Sequence, residues 1–257
     1  MLAQILLLAA LEIPFRYTPG QIEVQVSLNG RPPIWCVVDS GSDFSILDQE
    51  TAAALKVDGK RVTWTIGPLT MRNQSMRLWA LDNFRRQKRE IRGLIGHELF
   101  DRYVVTIDFQ KRVLILHEPA EFRAPPKALR LPITFDGHLP VVSAKLKFGE
   151  KTLTPRLMVD TGASTAVVLR HPYATENHLV GESKMSDTLA LGVTPFVKLA
   201  ATELIFGGRT FPNPKVEAYG SPRGAGGART TDGVLGNSAL QNFRVTFDYS
   251  RKRILLE

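Results

Sequence analysis

The chain has 257 residues, 44% of them hydrophobic, so it can bury a sizeable core as one large domain or two small ones. Its net charge of +8 is mostly scattered over turns, and its single cysteine, Cys36, excludes an intrachain disulfide. The five histidines show neither His-Glu-x-x-His spacing nor cysteine partners, which argues against zinc hydrolysis, and Gly-x-Ser-x-Gly and phosphate-loop motifs are absent from the sequence.

Residues 1–11 form an apolar run ending in small residues, without a positive start and too short to span a bilayer. This reads either as a residual signal segment, which predicts export, periplasmic or secreted, or as an ordinary first strand or helix. Gln21 to Leu28 alternates polar and apolar, as a half-buried strand does, and Asn29-Gly30 signals a hairpin turn. Ile34 to Val38 is a buried strand that ends in Asp39, and Cys36 within it reads as a core residue. The alanine-rich stretch Ile46 to Leu55 can hold one short helix. Val62 to Ile66 and Met76 to Leu81 read as strands around the turn at Gly67-Pro68. The basic run Arg85 to Arg92 reads as a solvated loop, with no nucleic-acid motif beside it.

Pro119 to Leu131, rich in proline and basic residues, reads as a linker. Beyond it, Val141 to Phe148 alternates like the first strand, Gly149-Glu150 turns, and an apolar strand ends in Asp160. Thr202 to Phe211 is strand, turn, strand, and Gly220 to Arg229 is a glycine-rich surface loop. Many short strands with few helical runs argue a mainly β protein.

The second half repeats the first. Val37-Val38-Asp39-Ser40-Gly41-Ser42 matches Met158-Val159-Asp160-Thr161-Gly162-Ala163. Downstream, the segment from Gly93 to Asp108 lies over that from Gly233 to Asp248 without a gap. In both copies an apolar strand delivers a carboxylate to a turn where glycine removes the side chain and hydroxyls can hold the acid in place. Asp108 and Asp248 also repeat, but they precede basic turns and read as hairpin residues. Asp232, without a counterpart, reads as structural.

Asp-[Ser/Thr]-Gly-[Ser/Ala] followed by a hydrophobic-hydrophobic-Gly motif resembles the aspartic proteases. The short lobes and the forms Ile95-Gly96-x-x-Leu99-Phe100 and Leu235-Gly236-x-x-x-Leu240 are most similar to retropepsin-like lobes, and two of them in one chain resemble the single-chain bacterial aspartyl proteases. The resemblance implies a mainly β fold of two homologous retropepsin-like barrel lobes, over 12–118 and 131–257, joined by the linker 119–130. It implies an aspartic endopeptidase acting on peptide or protein substrates. Asp39 and Asp160 would meet at the lobe interface and share one proton, supported by Ser40, Gly41, Ser42, Thr161, Gly162 and Ala163. No metal or cofactor is needed. Nucleic acid and a membrane span are not expected, and a monomer suffices because both lobes are present. A catalytically silent peptide-binding module of the same fold is the alternative.

Two asymmetries carry further expectations. Ser42 offers the first carboxylate a hydroxyl that Ala163 cannot offer the second, which predicts an uneven pair whose activity profile an Ala163→Ser change would move towards acid. The stretch between aspartate and downstream glycine is 57 residues in the first copy and 76 in the second. Part of the excess falls near 181–196, which predicts a single flap from the second lobe at Leu191, Gly192, Val193 and Thr194.

Overall fold

The computed structural model describes residues 10–18, 20–180, 196–222, 226–227 and 230–257. The molecule is mainly β, and its two halves are built on one strand plan. In the first half, Ile22–Leu28 pairs antiparallel with Ile34–Val38. The latter runs parallel to Ile91–Ile95, which is antiparallel to Ile46–Asp48. In the second half, Leu139–Ser143 pairs antiparallel with Arg156–Val159. That strand runs parallel to Gly233–Leu235, which is antiparallel to Val167–Leu169. Alternating burial drives the first hairpin: Ile22, Val24, Val26 and Leu28 are all buried. Asn29 and Gly30 make its turn at φ +50° and +72°, the left-handed region that Asn and Gly tolerate.

One six-stranded sheet joins the halves. Its order is Leu11–Pro14, Val113–His117, Val104–Asp108, Arg244–Asp248, Arg253–Leu256, Leu129–Pro132. At its centre Thr106 lies opposite Thr246, with hydroxyls 2.8 Å apart. These two threonines occupy matching positions of the two copies, so an approximate two-fold axis passes between them. Phe100, Phe247 and Tyr249 pack beside this junction, and Phe135 meets Tyr249 edge-on.

Several sequence expectations are corrected. The stretch Ile46 to Leu55 does hold its one short helix, Gln49–Leu55, but begins as a strand, Ile46–Asp48. Sheet pairing captures Ile46 and Leu47, and Asp48 then caps the helix by accepting from the Thr51 N–H (3.1 Å). The strand after Gly67-Pro68 is Leu69–Gln74, because Leu69 and Met71 alternate inward against Val62–Ile66. Of Met76 to Leu81 only Arg77–Trp79 is strand, and it runs parallel to Ile46–Asp48. Val141 to Phe148 belongs to two strands, Leu139–Ser143 and Lys145–Phe148, which part at Ala144 to pair with different neighbours.

The basic run is solvated at Arg86 to Lys88 but not throughout. Asp82–Arg86 is helical, Arg85 pairs with Asp48 at 3.0 Å, and Arg89 reaches the buried Glu23. A buried carboxylate without a cation is costly, and Arg16 is its second partner. Arg89→Ala should therefore destabilise the fold by about 1–3 kcal/mol in urea denaturation. A loss under about 0.5 kcal/mol would mean that Arg16 suffices alone. Cys36 is buried in the core, and burial pushes its thiol pKa up, so it is an inert packing residue.

Candidate active site

The two motif loops face each other across the approximate two-fold axis. Each leaves a parallel strand pair in the same way: the Asp39 N–H donates to Ile95 O (2.8 Å) and the Asp160 N–H to Leu235 O (2.9 Å). The hydroxyl residues then cross over. The Ser40 N–H donates to Thr161 Oγ1 (2.9 Å), and the Thr161 N–H donates to Ser40 Oγ (3.1 Å). Each hydroxyl passes its own proton on, Ser40 to Val159 O (2.9 Å) and Thr161 to Val38 O (2.7 Å). Both side chains are buried, so the four bonds are dry and fully paired.

The glycines set the spacing. The Gly41 N–H donates to Asp39 Oδ1 (2.9 Å) and the Gly162 N–H to Asp160 Oδ1 (2.7 Å). A Cβ on Gly41 would lie 2.4 Å from the Asp160 carboxyl carbon, and one on Gly162 would lie 2.7 Å from that of Asp39. Each half thus presses its glycine against the other half's acid, and no side chain fits between. The two carboxyl groups hydrogen-bond to each other.

Their electrostatics are uneven. Burial pushes the Asp39 carboxyl well above the usual range, and the charge of Asp160 raises it further. Burial also raises Asp160, but the Asp39 hydrogen bond, the Gly162 and Ala163 N–H groups and the Arg170 guanidinium hold it down. Both carboxyls are raised, so the pair holds a proton between them, and these neighbours favour the charge on Asp160; the pair titrates as a unit.

This asymmetry does not come from Ser42. Its hydroxyl donates to Phe44 O (2.7 Å), which corrects the expectation that it serves Asp39. The backbone at Ala163 and the cation at Arg170 make the difference instead, and both favour charge on the other acid. Ser42→Ala should accordingly leave any activity–pH profile in place; a displacement of about half a unit or more would restore the hydroxyl to the carboxylate.

Arg170 was not legible in the sequence as a site residue. It is buried, with Nε 3.2 Å from Thr231 Oγ1. The pairings of Leu47 with Gly93 and of Leu169 with Gly233 make it the counterpart of Asp48, so a charge-reversed pair of buried residues was the available signal. Asn237 was also missed. It follows the second downstream glycine, and its Nδ2 donates to Thr161 O (2.7 Å) and Gly20 O (2.8 Å).

A recess of about 370 Å³ opens beside the Asp39 loop, lined by Gly41, Phe44, Ile46, Trp79, Phe84 and Leu94 among others. The predicted flap residues Leu191, Gly192, Val193 and Thr194 lie outside the described residues, as do residues 1–9 of the apolar leader. Asp108 accepts the Lys111 N–H (2.9 Å), Asp248 is buried against Arg251 and Arg253, and Asp232 accepts the Arg156 N–H (2.7 Å). All three serve turns or strand ends. Among the described residues no helix is long and apolar enough to cross a membrane.

No family model and no curated protein matches the chain. Among solved structures, an aspartic proteinase from Irpex lacteus superposes with a TM-score of 0.55 at 14% identity, over 96% of this chain and 97% of that one. The chain therefore has the two-lobed fold of the aspartic proteinases.

Proposed function

We propose that this chain is an aspartic endopeptidase that hydrolyses peptide bonds with Asp39 and Asp160. The observation that carries the reading is the pair of carboxyl groups at the ends of two equivalent strands, each held by its own loop glycine N–H and pressed against the other half's glycine. Asp160, as carboxylate, draws a proton from a water placed between the pair. The water attacks the scissile carbonyl, and the Asp39 hydroxyl donates to the developing oxyanion. The proton gained by Asp160 then passes to the leaving amine. The substrate lies extended across the cleft, held by main-chain hydrogen bonds. The recess lined by Phe44, Trp79 and Phe84 suits a large apolar side chain near the scissile bond.

We further read the lobes as retropepsin-like, over 12–118 and 131–257 with the linker 119–130, and as products of a duplication. The matched strand plan and the short helices His97–Arg102 and Asn237–Leu240 after the downstream glycines support this. A flap from the second lobe at Leu191 to Thr194, a monomeric state and export belong to the same proposal.

The test is cleavage of casein or a peptide library with and without a statine-type transition-state analogue. Cleavage suppressed by the analogue is expected, with products showing bulky apolar residues near the cut. Analogue binding without any cleavage across acid and neutral pH would leave a silent peptide-binding module instead.

A further inference from the structure

Each half sends a hairpin turn across to the opposite motif loop, and the two crossings differ in chemistry. Val24 pairs with Cys36, and Val142 pairs with Leu157, each partner lying three residues before its aspartate. Counting back from these valines makes Gly20 and His138 equivalent. Ser164 and Asp43 are equivalent on the motif loops, as are Asn237 and His97 after the downstream glycines. At one crossing Asn237 donates to Gly20 O (2.8 Å), and a Cβ on Gly20 would lie 2.9 Å from Ser164 Cβ. At the other, the rings of His97 and His138 stack at 4.0 Å with 27° between planes, and the His138 N–H points at Asp43 Oδ1 (3.4 Å). Three residues without an ionisable side chain stand opposite three that carry one.

We propose that His97, His138 and Asp43 form a proton-sensitive clamp between the halves, closed by stacked neutral imidazoles, which positions the loop that carries Asp39. The His97 N–H donates to Ser42 O (3.0 Å), so the ring at 97 and the motif loop move together. The positioning role rests on the reading of Asp39 and Asp160 as the reactive pair; the clamp itself does not.

Geometry sets the proton response. His97 Nδ1 is buried without a hydrogen-bond partner among the described residues. A second ring proton would be a buried donor with no acceptor, and two stacked imidazolium rings repel. Burial and His138 both hold the His97 pKa below its ordinary value, against the pull of Asp101, Glu98 and Asp43. Glu98 is already engaged, accepting from the Ser45 N–H and hydroxyl. Asp101 and the Tyr249 phenol border the same cavity, of about 340 Å³, and Asp136 shares a neighbouring recess with Asp43. A histidine with a depressed folded pKa adds stability above its unfolded pKa and loses it as pH falls from about 6.5. The clamp is therefore closed near neutrality and released in acid, while the Asn237 crossing stays shut throughout.

The test compares the full chain with His97→Asn/His138→Gly, which copies the other crossing, and with His138→Phe, which keeps a stacked ring but cannot charge. Between about pH 7 and pH 5 the wild type should lose roughly 2–4 °C more melting temperature than either variant. Imidazole NMR titration of the wild type should show two coupled steps, with His97 protonating below its ordinary range. In the activity profile, His138→Phe should carry the acid limb about half a unit lower. If the double variant does not fold, His138→Phe decides. Parallel melting curves, or two histidines that titrate independently at ordinary values, would overturn the clamp. Failure of peptide cleavage in the wild type would remove the positioning role and the proposed function, while melting and NMR still decide the clamp.

Discussion

Asp39→Asn and Asp160→Asn should each lower kcat/KM for peptide cleavage by roughly 10³-fold or more, and the double variant should be scarcely worse than either single one. The reason is the shared proton: neither acid has a role without the other. The folded state should survive both changes. Burial raises both carboxyl pKa values, so the folded protein holds these protons more tightly than the unfolded chain. Ionisation then penalises folding as pH rises from about 4 through the raised values. Asparagine removes that penalty, so Asp39→Asn should melt at or above the wild-type temperature at neutral pH, with the gain fading in acid. Steady-state kinetics beside calorimetry at two pH values checks both halves of this expectation. A single variant with near wild-type turnover would refute the shared-proton mechanism.

The second large effect is expected at the crossed hydroxyls. Thr161→Val keeps shape but strands the Ser40 N–H and Val38 O, both otherwise served by Thr161 Oγ1. Two buried groups left without partners should cost about 2–4 kcal/mol. Because the same bonds hold the acids in register, catalysis should fall as well. Ser40→Ala should behave alike, and a double-mutant cycle in urea should show coupling well above about 0.5 kcal/mol. Full additivity would mean that the four bonds do not act as one unit.

The local features of the site were legible because they depend on nearest-neighbour chemistry. A strand that ends in aspartate, a hydroxyl residue and glycine is readable in one line of sequence, and its recurrence sets Asp39 beside Asp160 as a pair. Period-two alternation located Ile22–Leu28 closely, since every second side chain must leave water, and a continuous apolar run located Ile34–Val38. The strand expected at Met76 to Leu81 is shorter. There only Arg77–Trp79 joins a sheet, as an edge strand whose Leu78 and Trp79 remain exposed. The short helix expected within 46 to 55 forms at Gln49–Leu55, and an open sheet position beside Ile91–Ile95 takes Ile46 and Leu47 ahead of it.

By itself, then, the sequence determined the mainly β class, the two equivalent aspartates, and the glycines at the turns that follow them. Tertiary structure alone decided the surroundings of the pair, because Arg170 comes near Asp160 by folding, whereas Ser42 turns to Phe44. It also decided that Arg89 serves Glu23 and that His97 stacks on His138. A hydrophobic pattern records which side chains leave water, but not what they meet. Thr161 lies 121 residues from Ser40, Arg89 lies 66 from Glu23 and His138 lies 41 from His97 in the chain, and only tertiary packing brings them within a hydrogen bond or a ring's width.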